Sequence, residues 1–458
     1  MESITHSVTL DADKCKGCIN CIKRCPTEAI RVRNGKAVIM SDHCIDCGEC
    51  IRVCPHHAKK AISDPLSVME KYKYKIALPA PSLYGQFKSI KDVNIILTAL
   101  VNTGFDDIFE VALAAQSVSD YTKEILPGAR ALLSGPLISS ACPVIVKLIC
   151  VRYPGLLDNV LKIITPVELA AIAAREKAVK ETGLKPEEIG IFFISPCPSK
   201  ITAAKYRIGY EGTVIDGIFS MSEFCVKLLP IVEKTREPKN LSKAGTKGIT
   251  WSYSGGEGSS VGESLFIAVD GIDNVIRVLD EIENDKFTSA RFVELNACPG
   301  GCVGGCLAVE NPFVARARIQ RMGLALENEK NDNSVDENCL IPSVLNWQKT
   351  PEYTSILSLD SDRSVAMRKL ADIESISETL PGIDCGSCGA PSCHALAEDI
   401  VQGVAHESDC IFKLRERMSS LFHEMAELQE YMPPPFRDLN ASSNIENYKD
   451  TGENKHDH

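Results

Sequence analysis

Short apolar, β-branched runs alternate with longer amphipathic stretches through the middle of the chain. Lys75–Leu78, Ile189–Ile194 and Ile249–Tyr253 read as strands, and Val167–Thr182 reads as a helix. In "GLKPEEIGIFFISPCPSK" the pattern gives a turn, a buried strand, and a loop at the strand's carboxyl end. Open α/β sheets build their sites at that end. Near the N-terminus two smaller β-prone pieces, Ser7–Leu10 and Ala37–Met40, each precede a cysteine run, and a short helix is expected after each Cys-Pro that closes a run. Residues 327–362, with ENEKNDNS and Pro342, read as a surface connection. A small cysteine-containing module follows at 363–410, then a helix from Cys410 to Met432 that Pro433, Pro434 and Pro435 stop. Along that helix Ile411, Leu414, Met418, Leu421, Met425, Leu428 and Met432 alternate steps of three and four, a heptad seam. It serves either to pack the helix on its own domain or to pair it with a partner. Residues 436–458 are polar and are expected to be disordered.

This pattern sets the fold class as α/β (α+β multidomain). The segments are 1–62, 63–350, 363–410, the helix 411–432 and the tail 436–458. The chain has 458 residues, 44% of them hydrophobic, enough for several cores. Its formal net charge is -11 without blocks of Lys or Arg, which argues against nucleic-acid binding. The N-terminus lacks a basic start followed by an apolar run. No uncharged stretch approaches the ~18 residues of a spanning helix. The expectation is a cytoplasmic protein that does not use a membrane.

Cysteine changes the picture most. There are 20, in tight groups inside a large chain, which favours metal ligation over a disulfide scaffold. C-x2-C-x2-C-x3-C-P occurs twice with a period of 29, as Cys15, Cys18, Cys21, Cys25 and as Cys44, Cys47, Cys50, Cys54. The spacing favours iron–sulfur over the separated pairs that zinc prefers. About 60 residues here resemble bacterial two-cluster ferredoxins, in which the cysteine before proline ligates the other cluster. The resemblance implies one 4Fe-4S cluster on Cys15, Cys18, Cys21 and Cys54, and another on Cys44, Cys47, Cys50 and Cys25. Near the C-terminus Cys385, Cys388, Cys393 and Cys410 resemble a small helical 4Fe-4S module, with zinc left open. His394 is expected on a helix rather than on the metal.

The middle zone supplies four more thiolates from three loops: Cys142 in "SSACP", Cys197 in "SPCPSK", and Cys298 and Cys302 in "ELNACPGGCVGGC". The loops resemble the three signature loops of iron-iron hydrogenases, over roughly residues 75–345. That resemblance implies a two-lobed α/β domain around an H-cluster, a 4Fe-4S cubane joined to a two-iron centre with carbonyl, cyanide and dithiolate ligands. By position Cys142, Cys197, Cys298 and Cys302 hold the cubane, and Cys302 also bridges to the two-iron centre. Lys200 matches the lysine that hydrogen-bonds a cyanide. Gly300, Gly301, Gly304 and Gly305 would let backbone approach the cofactor. "SYSGGEGSSVG", Ser252–Gly262, lacks the GK[ST] of a P-loop and resembles the glycine loop beside this cofactor.

The departures from the family matter as much. Where catalytic members place a proton-passing cysteine, this chain has Ala141. The methionines that flank the two-iron centre are Ser195 and Asn296, and the glutamate after the lysine is Ala203. The acidic stretch that feeds the family's proton path aligns with Gln116–Thr122, which offers only Asp120. Ligands retained with the relay lost resemble the sensory branch of the family. The implied function is slow, reversible splitting of H2 for H2 or redox sensing, with electrons passing through three accessory 4Fe-4S clusters. The alternatives are a catalytic ferredoxin-linked hydrogenase with another proton path, or an iron–sulfur electron-transfer protein without the two-iron centre. Implied partners are H2, a ferredoxin-like or other redox protein, a signalling kinase or phosphatase, and a second copy of the chain. No PAS-like module is recognisable. Cys150, Cys225 and Cys339 are read as packing residues, and Cys306 lies near the site.

Overall fold

A computed structural model describes residues 6–431 apart from 89, 131–132, 134, 207–213, 288, 330–344 and 354–358. Cys339, Met432 and the tail 436–458 lie outside the described residues. The chain forms two compact units, Met1–Ser358 and Leu359–His458.

The N-terminal residues form four short strands, β1 (Val8–Leu10), β2 (Ile30–Arg33), β3 (Lys36–Ile39) and β4 (Lys59–Ala61). β1 pairs antiparallel with β4, and β2 with β3, with Leu10 opposite Lys59 and Ile30 opposite Ile39. The sequence placed a short helix after each Cys-Pro; instead four-residue helices, Asn20–Lys23 and Glu49–Arg52, come before it and carry Cys21 and Cys50. The reason is local. After each Cys-Pro the chain turns back so that the N–H of Ala29 donates to Cys25 Sγ (3.2 Å) and that of Ala58 to Cys54 Sγ (3.3 Å), and then it enters a strand. A helix there would aim those N–H groups elsewhere.

The middle of the chain adds β5 (Tyr74–Pro79), β6 (Asp107–Ile108), β7 (Leu137–Ile138), β8 (Ile189–Ser195), β9 (Gly217–Ser220), β10 (Phe266–Asp270) and β11 (Phe292–Asn296). They form two parallel sheets, ordered β6-β5-β8-β9 and β10-β11-β7. Every residue of β8 is buried, as its unbroken apolar run requires of a central parallel strand covered on both faces. Each fully buried Phe or Ile there contributes about 1.5–3 kcal/mol. One core gathers round the first sheet through Phe192, Phe219 and Phe224. A second gathers round the other through Ile145, Leu279 and Val293.

Ile249–Tyr253 is not the strand its β-branched residues suggested. Thr246–Thr250 is a helix, followed by a turn. Gly248 brings it so close to the helix Val111–Arg130 that a Cβ would meet Ala112 O at 2.1 Å, and this contact holds the segment away from either sheet. Val167–Thr182 is a helix as expected, Pro166–Thr182, opened by a capping box of Thr165 and Glu168.

The second unit is helical: Arg363–Thr379 capped by Asp362, Cys393–Val401 capped by Ser392, and Ile411–Glu430. The seam of the last helix is exposed: Ile411, Leu414, Met418, Leu421, Met425 and Leu428 all stand in solvent.

Candidate metal centres and their surroundings

The repeated cysteine motif folds into two cavities. Cys15, Cys18, Cys21 and Cys54 border one of about 290 Å³, and Cys25, Cys44, Cys47 and Cys50 border one of about 340 Å³. The cysteine before proline in each run thus lies with the three cysteines of the other run. Burial raises the pKa of Cys44 to about 12, helped by the carboxylate of Asp46. A thiol in that state keeps its proton unless a cation replaces it, so four converging thiols fit a cationic iron–sulfur core. In the second unit Cys385, Cys388, Cys393 and Cys410 border a third cavity of about 290 Å³. His394 sits on the helix beginning at Cys393, where its Nδ1 lies 3.3 Å from Glu398.

Four strands converge on the central site by their carboxyl ends, two from each sheet. β5 runs into Ala80-Pro81-Ser82, β7 into Ser139–Cys142, β8 into Pro196-Cys197, and β11 into Ala297-Cys298. In two of these loops the Cys-Pro pair has a simple structural meaning. Pro143 and Pro198 are the first residues of the helices Pro143–Arg152 and Pro198–Tyr206, where a missing N–H costs nothing. A cysteine therefore stands at the mouth of each helix. The third loop turns through Gly300 and Gly301, both at positive φ (74° and 88°), into a short 3-10 turn, Cys302–Gly304.

Lys200 lies one helical turn after Cys197, and its Nζ donates to Cys302 Sγ at 3.6 Å. Burial disfavours its charge, but Cys302, Cys197, Cys142 and Cys298 outweigh that and hold its pKa well above the usual lysine value. One ammonium thus faces all four cysteines. Burial pushes Cys197 up to about 11 against the opposing pull of Lys200.

Beside Lys200 and Cys302 lies a cavity of about 410 Å³ that Ser82, Ala141, Trp251 and Ser252 also border. Ser82 Oγ, Trp251 Nε1 and Ser252 Oγ are buried without hydrogen-bond partners among the described residues. Three orphaned donors and an ammonium fit a group carrying anionic ligands. The sequence reading did not single out Ser82, Trp251 or Ser252. An adjoining cavity of about 450 Å³ is bordered by Ala141, Thr165, Lys200, Ala203 and Trp347.

The glycines of the third loop serve a purpose the sequence did not suggest. A Cβ on Gly305 would meet Pro196 O at 2.3 Å, and one on Gly301 would meet Ser254 N at 2.6 Å. They let the third loop pack on the second and on the turn at Tyr253–Ser254. The departures from the family pattern are also spent structurally. Ser195 Oγ donates to Cys197 O (2.9 Å), and Asn296 Nδ2 donates to Glu294 Oε1 (2.8 Å). Gln116 Oε1 accepts from Gly245 N, while Asp120 pairs with Lys247 at 3.7 Å on the surface.

Two buried carboxylates, unassigned from sequence, stand behind Ala141. The N–H of Ala141 donates to Ser139 Oγ (3.1 Å), and that hydroxyl donates to both oxygens of Glu257 (2.8 Å each). Glu294 accepts from Gly255 N and Gly258 N at 2.9 Å each, and from Asn296. Burial, then the neighbouring Glu294, raises the pKa of Glu257 despite the opposing effects of Ser139 and Lys200. With three donors, Glu294 is the better stabilised anion, so Glu257 carries the proton of the pair.

The N-terminal cavities join this site through the second cysteine run. A Cβ on Gly48 would meet Cys306 Sγ at 2.3 Å and Pro198 at 3.5 Å, and Arg52 Nη2 donates to Gly304 O (2.8 Å). Asp46, fully buried, holds a left-handed φ of 55°. Its Oδ1 accepts from Ser7 N and Val8 N; its Oδ2 accepts from Thr202 Oγ1 (2.6 Å) and Lys147 Nζ (3.3 Å). This carboxylate ties the second run to both helices that begin at a cysteine. Cys306 lies at this junction, whereas Cys150 and Cys225 are buried core residues.

Residues 73–242 and 257–306 match the family "Iron only hydrogenase large subunit, C-terminal domain". Residues 7–55 match the 4Fe-4S dicluster domain, and 380–412 a family of Fe-S cluster segments. The middle of the chain is therefore similar to the large subunit of iron-only hydrogenases, and the segment before it to a 4Fe-4S dicluster domain. Iron hydrogenase 1 of Clostridium pasteurianum is 23% identical over 371 residues, 66% of this chain and 64% of that protein. Ferredoxin-2 of Desulfomicrobium norvegicum is 52% identical over 33 residues, 7% of this chain and 56% of that one. The chain thus spans less than two thirds of either relative. The solved FeFe-hydrogenase HydA1 of Chlamydomonas reinhardtii superposes with a TM-score of 0.46 at 14% identity, covering 64% of this chain and 98% of that one. No helix among the described residues is long and apolar enough to cross a membrane.

Proposed function

We propose that the chain is an iron-iron hydrogenase of low turnover that senses H2 or redox state. Cys142, Cys197, Cys298 and Cys302 would hold the cubane of an H-cluster, with Cys302 bridging to the two-iron centre and Lys200 orienting a cyanide. The cysteine sets of the three smaller cavities would hold accessory 4Fe-4S clusters. The observation that carries the sensory reading is Ala141, which borders the cavity beside Lys200 and Cys302 and offers no exchangeable side-chain proton. Relay groups contribute roughly 10²–10⁴-fold, so their loss gives slow turnover. H2 oxidation and evolution with artificial electron carriers test this, and fast turnover would overturn it.

One observation favours the second reading, a hydrogenase with another proton path. The buried pair Glu257–Glu294 meets the Ala141 loop through Ser139. Glu257 can hold and release a proton there at the cost of one hydroxyl reorientation. It would serve a slow sensor equally well. A scaffold lacking the two-iron centre fits less well, because the buried donors of Ser82, Trp251 and Ser252 then face nothing.

For partners we propose a ferredoxin-like redox protein, a signalling kinase or phosphatase, and a second copy of the chain, in a reducing cytoplasm. The self-pairing argument is specific. With two helices Ile411–Glu430 antiparallel, Ile411, Leu414 and Met418 fall opposite Leu428, Met425 and Leu421. Arg417 and Glu424 then meet each other's counterparts along one flank of the seam. A parallel pair would instead set Arg417 beside Phe422.

A further inference from the structure

The two N-terminal cavities are related by the 29-residue repeat, and their walls differ most in charge. A shift of 29 residues carries Leu10, Ala37 and Ala58 in the wall of the first onto Ile39, Val8 and Ala29 in the wall of the second. The same shift pairs Lys59 with Ile30, His56 with Thr27, and Lys16, which is exposed where Lys59 is buried, with Ile45. It also pairs Gly17 with Asp46. A lysine therefore takes the place of an isoleucine in the first wall, and a buried carboxylate the place of a glycine beside the second.

Lys59 is only 3% exposed, and its Nζ has no hydrogen-bond partner among the described residues. Its charge acts on Cys21 and Cys54 of the first set and on Cys50 of the second. Asp46 acts in the opposite sense on Cys44 of the second set. An unpaired ammonium is costly to bury, and the ferredoxin repeat needs none there, because Ile30 fills the equivalent place. An iron–sulfur cluster with four thiolates is anionic and gains another negative charge on reduction. Net charge and hydrogen bonds to sulfur set its potential. A buried cation on the wall favours the reduced form, and a buried anion disfavours it.

We propose that Lys59 makes the site of Cys15, Cys18, Cys21 and Cys54 the higher-potential one of the pair. The second site abuts Cys306 and Pro198 next to the hydrogenase cysteines, so the first is the one of the pair farther from them. An electron entering the pair then resides at the end remote from the H2 site, where a redox partner can collect or read it. The inference rests on the accessory clusters proposed above.

The test is an EPR-monitored potentiometric titration of the full chain with its iron–sulfur clusters reconstituted, against Lys59→Ile, which installs the residue of the symmetry-related site. Iron content and two reduced ferredoxin-type signals in the parent test the cluster reading separately. The proposal predicts two separated reduction waves, with Lys59→Ile moving the higher one down towards the lower. If Lys59→Ile impairs folding, Lys59→Met, of similar length, reads the same shift. A higher wave that stays put in the folded variant, or a shift confined to the lower wave, overturns it.

Discussion

The hydroxyl of Ser139 donates to Glu257 at 2.8 Å from each carboxylate oxygen while accepting the N–H of Ala141. The loop that lacks a relay thiol is therefore wired to a buried acid. If protons use this route, Glu257→Gln keeps the size and the Ser139 contact but removes the titratable proton. H2 evolution with a reduced viologen should fall roughly 10²-fold. An unchanged rate would remove Glu257 from the path.

The same residue sets a pH dependence of stability. Its carboxyl is raised by burial and by Glu294. Above the ordinary glutamate range the unfolded chain has lost this proton while the folded chain keeps it. Stability from this group therefore falls as pH rises towards the raised folded value, and levels off above it. Glu257→Gln removes that loss. Its unfolding temperature relative to the parent should climb from pH 5 to pH 8, and a difference that is flat with pH would contradict the assignment.

Ala141→Cys tests whether proton delivery limits turnover. Ala141 borders the cavities on both sides of Lys200, so a thiol has room. The rate should rise about 10-fold or more, at the lower end of what a proton-transfer group supplies. An unchanged rate locates the limit in other missing groups, such as the one replaced by Ala203.

Much of this site was legible in the sequence because ligand chemistry is local. Cys-x2-Cys spacing and Cys-Pro pairs show themselves in a few residues, and three of the expected sets of four cysteines each border one cavity. What escaped was non-local. Ser82 and Glu257 acquire meaning only when the turn after β5 and the short helix Gly256–Val261 meet the cysteine loops from distant parts of the chain. Ile249–Tyr253 failed for the same reason, since one glycine pressed against Ala112 outweighs five residues of strand propensity. Asp46 carries no local signal of its role, and only tertiary contact with Thr202 and Lys147 explains a left-handed aspartate.

Asp46→Ala should destabilise the first unit. It strands Lys147, which is largely buried (19% side-chain exposure), and unpairs Ser7 N, Val8 N and Thr202. Removing one partner of a buried pair costs about 3–5 kcal/mol. Anaerobic thermal unfolding should show an unfolding temperature well below the parent's. A parent-like value would mean that the ferredoxin and hydrogenase portions do not depend on this carboxylate.

Light scattering or sedimentation tests the antiparallel helix pair. Arg417→Glu alone should weaken the dimer by placing like charges opposite each other. Arg417→Glu combined with Glu424→Arg should restore it. A parent that is monomeric at tens of micromolar, or a double variant no better than the single, would contradict the pairing.

The most direct test of the account is the infrared spectrum of protein matured with a two-iron centre. If Lys200, Cys302 and the orphaned donors Ser82, Trp251 and Ser252 surround an H-cluster, carbonyl and cyanide stretching bands should appear, and Lys200→Ala should shift the cyanide bands. Matured, iron-replete protein that shows no such bands would contradict the hydrogenase reading of this site.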